Sequence, residues 1–179
     1  EDFKYKAFVT VETDQGFTNS IENLSTSNLK ENDLLVKVSY SSLNYKDALS
    51  ASGNKGVTRE YPHTPGIDAV GEVVKSNTSD FKIGDKIIVT GYDLGMNTYG
   101  GFGQYISIPA NWAVMLPKEL SENEAMSIGT AGLTAGLCIR KLLMNDLDPE
   151  SGDVLVTGAS GGVGSVAVML LSKLGFNVI

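Results

Sequence analysis

The stretch Val154-Leu155-Val156-Thr157-Gly158-Ala159-Ser160-Gly161-Gly162-Val163-Gly164 decides how the last third of the chain folds. Val154 to Val156 is a continuous apolar run, the pattern of a strand covered on both faces, and it leads straight into glycines. Beyond them Val163, Val166, Ala167, Leu170, Leu171 and Leu174 recur at three- and four-residue intervals, the apolar stripe of a helix. Lys173 suits the negative end of that helix's dipole, Gly175 suits its C′ position, and Asn177-Val178-Ile179 reads as a new strand. A turn without β-carbons at a helix N-terminus lets backbone amides approach a diphosphate. Set against G-x-G-x-x-G, Ala159 takes the first position, Gly161 the second, where phosphates approach, and Gly164 the third, where helix meets strand. Ser160, Gly161, Gly162, Val163 and Gly164 are therefore expected around the phosphates of a dinucleotide. The alternative is a tight β-to-α turn with no ligand. The residue that reads the ribose lies about 20 positions further on, past Ile179, so the residues present do not choose between NAD and NADP.

Upstream, Leu120-Ser121-Glu122-Asn123-Glu124 has the reciprocal spacing of a capping box and marks the start of helix. Gly129 to Met144 carries a second helical run, and Asp148 to Asp153 forms a polar break. Everything before reads as mostly β: Tyr5 to Val11, Leu34 to Tyr40, Ala69 to Val74, Lys86 to Thr90 and Gln104 to Ile108 are short alternating or β-branched runs. Asn44 to Ala51 is the one short helix expected among them, while Gly53 to Pro65 and Gly91 to Gly103 read as loops overhanging a site. The predicted fold is thus mixed α/β, a β-rich domain over residues 1–120 and the first part of a dinucleotide-binding, doubly wound parallel sheet over 121–179.

Composition removes several classes of function. Of 179 residues 42% are hydrophobic and 20% charged, a globular balance, and 21 acids against 14 bases leave a net charge of −7 with no basic cluster, so nucleic acid is not an expected partner. One cysteine and one histidine exclude an intrachain disulfide and leave too few soft ligands for structural zinc. No apolar run approaches the ~20 residues of a membrane helix, and Glu1-Asp2-Phe3-Lys4 lacks a secretion signal, so a cytoplasmic location without membrane contact is expected. The scattered acids fit neither a paired-carboxylate hydrolase nor a calcium loop. Because the last residues read as the beginning of a strand, a truncated chain is expected, and half a doubly wound sheet is expected to be marginal or aggregation-prone alone.

The strings Ser42-Leu43-Asn44-Tyr45-Lys46-Asp47-Ala48-Leu49, Pro65-Gly66-Ile67-Asp68-Ala69-Val70-Gly71, Gly84-Asp85-Lys86, Ile128-Gly129-Thr130-Ala131-Gly132 and Val156 to Gly164 narrow the reading. From about residue 4 to its end the chain resembles the medium-chain dehydrogenase/reductase superfamily, and within it the zinc-free acrylyl-CoA reductase and quinone oxidoreductase group. The resemblance implies a GroES-like first domain, a Rossmann second domain, a full chain nearly twice this length, NADPH as reductant and a homodimer. Zinc-dependent members hold their metal through a cysteine and a histidine, and here the corresponding places hold Asn44 and Ile67, which offer neither thiolate nor imidazole. Without a Lewis acid an alkoxide is hard to stabilise, whereas an activated C=C bond accepts hydride with only modest help for the enolate. The expected activity is a zinc-independent, NADPH-dependent reduction of an acrylyl-CoA-type thioester or a quinone; the alternative is a non-catalytic protein that binds or senses NADPH.

On that resemblance Tyr45 is the candidate to line the nicotinamide or polarise the substrate carbonyl, with Lys46 to perturb it and Asp47 to orient it; the alternative is that Tyr45 only packs and Lys46 is solvated. Asn44 is a candidate amide donor to the cofactor, or simply the cap of its helix. Thr130 resembles the family position that meets the nicotinamide or a phosphate, the alternative being a helix-start hydroxyl bonded to its own backbone. His63, between two prolines, is expected to be exposed or locally hydrogen-bonded and outside the site; Cys138 is expected to be a small buried hydrophobe. Trp112, Tyr99 and Phe102 are read as covering a core edge, with a substrate cleft as the alternative.

Overall fold

Alternation of apolar and polar residues builds the first part of the chain. In β3 (Leu34–Tyr40), Leu34 and Val36 are fully buried while Lys37 between that face and solvent is exposed, the two-residue period of a half-buried strand. The computed structural model describes residues 2–179. It contains a hairpin of β1 (Lys4–Thr13) and β2 (Gly16–Ser25), then β3, helix α1 (Tyr45–Ala51), β4 (Asp68–Ser76), β5 (Lys86–Thr90), β6 (Tyr105–Ile108) and β7 (Val114–Met115). β3 to β7 form one antiparallel sheet in the order β6-β3-β4-β5-β7. Its core consists of Leu34, Val36, Ala69, Val73, Ile87, Val89, Leu94, Ile106 and Ile108. Each such Val, Leu or Ile stabilises the fold by about 1.5–3 kcal/mol relative to exposure.

Between strands, the two long connections hold each other. Gly100 N–H donates to Thr64 O at 2.8 Å, Gly101 N–H to Gly66 O at 2.8 Å and Phe102 N–H to Pro65 O at 3.0 Å. The backbones approach so closely that a β-carbon on Gly100 would stand 2.4 Å from the Gly66 carbonyl oxygen, and one on Gly66, where φ is +111°, would stand 2.6 Å from the Gly101 nitrogen. His63 is part of this strap. Its backbone exchanges two hydrogen bonds with Thr10 of β1, and its ring lies edge-on to Tyr61 and Tyr99. Of the expected exposed or locally hydrogen-bonded imidazole, the exposed form is corrected: His63 is buried, its ring packed against those of Tyr61 and Tyr99. Burial pushes its pKa down, opposed by a hydrogen bond to the Gly95 backbone and by the charge of Asp93. Phe102 meets Phe8 edge-on, covering the β1 side of the core.

The chain divides into two compact units, Glu1–Ser127 and Ile128–Ile179. The division falls inside α2 (Glu122–Leu143), whose first turns belong with the sheet because Ala125 and Met126 pack against Val70. Ser121 caps this helix as its spacing predicts: its hydroxyl accepts from Glu124 N–H at 3.2 Å while its own N–H donates to the Glu124 carboxylate at 2.8 Å. Gly129, with φ +50° and ψ −160°, then breaks the helical path. In the second unit Ile139 of α2, Leu171 of α3 (Gly162–Lys173) and Phe176 form the core. Val154 pairs in parallel with Val178, the connection that a βαβ unit requires. The chain is therefore an antiparallel β-rich unit followed by a unit that opens with a strand–helix–strand crossover whose two strands pair in parallel.

Two expectations for this unit are corrected. Leu155 is 68% exposed, so the apolar run is covered on one face only by the described residues. Cys138 is exposed, because the buried stripe of α2 runs through Ala135 and Ile139 and Cys138 stands one residue, about 100°, off it.

Candidate functional site

In the first unit the site candidates gather at the start of α1. Asn44 precedes the helix in an extended conformation, and its side-chain oxygen accepts from Lys46 N–H at 3.1 Å. The capping role is thus occupied, in line with an Asn at this position. Tyr45 and Lys46 project outward from the first turn, Tyr45 with 77% of its surface exposed, next to an equally open Leu43. Asp47 does not orient Tyr45. It points inward, buried, with one carboxylate oxygen accepting from Asn44 N–H at 2.7 Å and the other from Gly66 N–H at 3.1 Å and Ile67 N–H at 3.0 Å. A single side chain therefore fixes the helix start to the segment entering β4. Burial pushes the Asp47 pKa up, the three backbone N–H groups pull it down, and the neighbouring Asp68 charge pushes it up again. Asp68 is itself buried, with the Ser42 hydroxyl donating to its carboxylate and the Ser41 hydroxyl donating to its carbonyl at 2.6 Å.

The Asp47–Asp68 corner was not anticipated from the sequence, which read the acids as scattered. Two signals were available: an acid three residues after the N-cap, which is capping-box spacing, and a charge inside the apolar run Ile67-Asp68-Ala69-Val70. Asn44 is used as a cap, and Ile67 carries an aliphatic side chain buried at the entry to β4. Among the described residues no three His, Cys, Asp or Glu side chains gather closely enough to hold a metal ion.

In the second unit the glycine turn has the shape its composition predicts. Gly161 is the N-cap of α3 with φ −81° and makes no side-chain cap bond, so the first helical amides are left uncapped by any side chain. Ser160, Gly161, Gly162 and Val163 are exposed and Gly164 is buried. A β-carbon on Gly164 would stand 2.2 Å from the Gly158 carbonyl oxygen, so a glycine here lets the helix lie directly against the backbone of the turn. On Gly161 it would meet only the same oxygen at 3.3 Å, and otherwise face open space. The cradle accordingly fits a diphosphate, for which amides, a positive helix end and room are the requirements. Thr130 begins the helical run after the Gly129 break, and its neighbour Ala131 lies against the turn, 3.3 Å from where a Gly162 β-carbon would be. The structure thus brings the Thr130 segment and Ser160–Gly164 together within one unit.

Comparison with known proteins agrees with both halves of this description. Residues 30–118 match the alcohol dehydrogenase GroES-like domain. Over 159 residues the chain is 48% identical to YhfP of Bacillus subtilis, which carries a quinone oxidoreductase name, and 44% identical to the acrylyl-CoA reductase AcuI of Ruegeria pomeroyi; each alignment covers 89% of this chain and 48% of the relative. The yhdH oxidoreductase of Salmonella enterica, solved in complex with NADP, superposes with a TM-score of 0.94 at 43% identity, covering 97% of this chain and 53% of that one. The chain spans about half the length of the curated relatives it matches. It belongs to the medium-chain dehydrogenase/reductase family. Within that family it stands with the acrylyl-CoA reductase and quinone oxidoreductase group.

Proposed function

We propose that this chain is the first half of a zinc-independent, NADPH-dependent oxidoreductase that reduces activated alkenes, an acrylyl-CoA-type thioester or a quinone. The observation that carries the reading is the uncapped, exposed start of α3 behind a turn in which Gly161 leaves room for a diphosphate. The relatives solved with NADP and NADPH support the choice of nicotinamide cofactor. In this reading the amides around Ser160, Gly161, Gly162, Val163 and Gly164 hold the diphosphate, and Thr130 lies beside it. NADPH supplies a hydride. An enoyl thioester would take that hydride at its β-carbon and a proton at its α-carbon, giving the saturated thioester and NADP⁺; a quinone would take the hydride and a proton to give the hydroquinone and NADP⁺.

The chain's own contribution at the acceptor end comes from the exposed first turn of α1. Tyr45 offers a hydroxyl to a substrate carbonyl and Lys46 a nearby positive charge for the developing enolate. Asn44 holds the turn in place through its cap, and Asp47 positions the whole by its three backbone contacts. The side chains of Asn44 and Ile67 support a mechanism without zinc, since an amide and an alkyl group make no zinc site. A homodimer and a cytoplasmic location complete the proposal.

The test is NADPH oxidation by the full-length protein, followed by absorbance, with acryloyl-CoA and then with 1,4-naphthoquinone. Turnover with either supports the reading. Tight NADPH binding without turnover across a panel of enones would instead establish the non-catalytic, sensing alternative.

A further inference from the structure

Tyr92 has φ at +53°, a backbone conformation that bulky residues rarely adopt. Residues so held persist where their surroundings over-determine them, and such places cluster at ligand sites. Here the surroundings are identifiable. Gly91 N–H donates to Ile67 O at 2.9 Å, the Tyr92 ring stacks on Trp112 with centroids 5.3 Å apart and planes 7° from parallel, and the Tyr92 hydroxyl reaches the Asn111 carbonyl at 3.4 Å. The residue nevertheless stays 61% exposed. One face of the ring is spent on the indole, so what remains open is the opposite face. Its place in the fold matters equally, because Ile67 is the residue whose amide Asp47 holds. The stacked pair therefore begins one rung from the backbone that positions the start of α1.

We propose that Tyr92 is a specificity-determining residue for the acceptor, its open face, backed by Trp112, taking a flat conjugated ring such as a quinone in preference to a short acyl thioester. The inference rests on the reductase reading and deepens it. An aromatic face in water gains from a second π-system laid over it in offset stacking, a contact that changes affinity by about threefold to tenfold beyond the area it covers. A three-carbon acyl group has no ring to lay there. The adenine of coenzyme A does, and the test separates the two.

Trp112 is the only tryptophan of the chain's 179 residues, so in this half of the protein its fluorescence reports on the ring it stacks against. In the full-length protein, 1,4-naphthoquinone should quench that fluorescence saturably, and Tyr92→Gly, which suits the positive φ and removes the ring, should weaken the saturation about tenfold. Tyr92→Phe should restore it. In turnover, Tyr92→Gly should raise the naphthoquinone KM about tenfold with kcat and the acryloyl-CoA KM within about twofold. Unchanged quenching in Tyr92→Gly overturns the assignment, as does a rise in the acryloyl-CoA KM that equals or exceeds the quinone effect, which would give the platform to adenine. Because quenching is read without turnover, failure of NADPH oxidation with both acceptors would overturn the reductase reading separately.

Discussion

Glycine serves opposite purposes in the two units. At Gly66 and Gly100 it lets two backbones touch, and a β-carbon there would stand 2.6 Å or less from main-chain atoms. At Gly161 it leaves a space vacant, with a single contact at 3.3 Å. The first use is spent on stability and the second is held in reserve for a ligand. Sequence composition counts both alike, and only the surroundings tell them apart.

The largest test of this contrast is Gly100→Ala, expected to destabilise the first unit by about 3–5 kcal/mol because rigid carbonyls at 2.4 and 2.5 Å have nowhere to go. Urea denaturation of the full-length protein measures it; a midpoint equal to wild type would mean that the strap is loose. Asp47→Ala should follow at about 2–3 kcal/mol, since three buried backbone N–H groups lose a charged acceptor. A loss confined to activity, with stability intact, would reassign Asp47 from positioning to chemistry. Gly161→Val, on the other side of the comparison, should leave the melting temperature within about 2 °C of wild type while weakening NADPH binding roughly 30-fold, or about 2 kcal/mol. Fluorescence titration with NADPH reads the second quantity, and unchanged affinity would remove the diphosphate from this turn.

The smallest effect belongs to pH. The His63 pKa is lowered in the folded protein, so the stabilisation from its neutral form is complete above pH 6.5 and is lost as pH falls through the folded value. His63→Phe removes that titration. The melting temperature of the variant should decline less than that of wild type on acidification below pH 6.5, and parallel curves would show that the buried imidazole carries no such linkage.

Local signals were legible in the sequence wherever chemistry acts over three or four residues. The Ser121–Glu124 box, the short helix opened by Asn44 and the glycine turn of α3 all have their partners within one helical turn. β2 was not among the strands anticipated, because it buries almost nothing: it pairs along all ten residues with β1 while its side chains face water, so no apolar alternation marks it. Asp47 and Asp68 meet across 21 positions of chain, and no spacing rule joins them. His63 is a similar case, since two of its partners, Thr10 at the backbone and Tyr99 at the ring, lie 53 and 36 positions away in the chain.

The first strand also sets a schedule for synthesis. Lys6 exchanges hydrogen bonds with Gln104, and Phe8 N–H donates to Phe102 O, so one border of β1 is closed by residues made nearly a hundred positions later. At ribosomal speeds of about 5–20 residues per second, that border waits ~5–20 s for its partner. During that interval the nascent hairpin presents an open edge to its neighbours on a polysome, and chaperone dependence of the yield should grow as translation is slowed across residues 26–104.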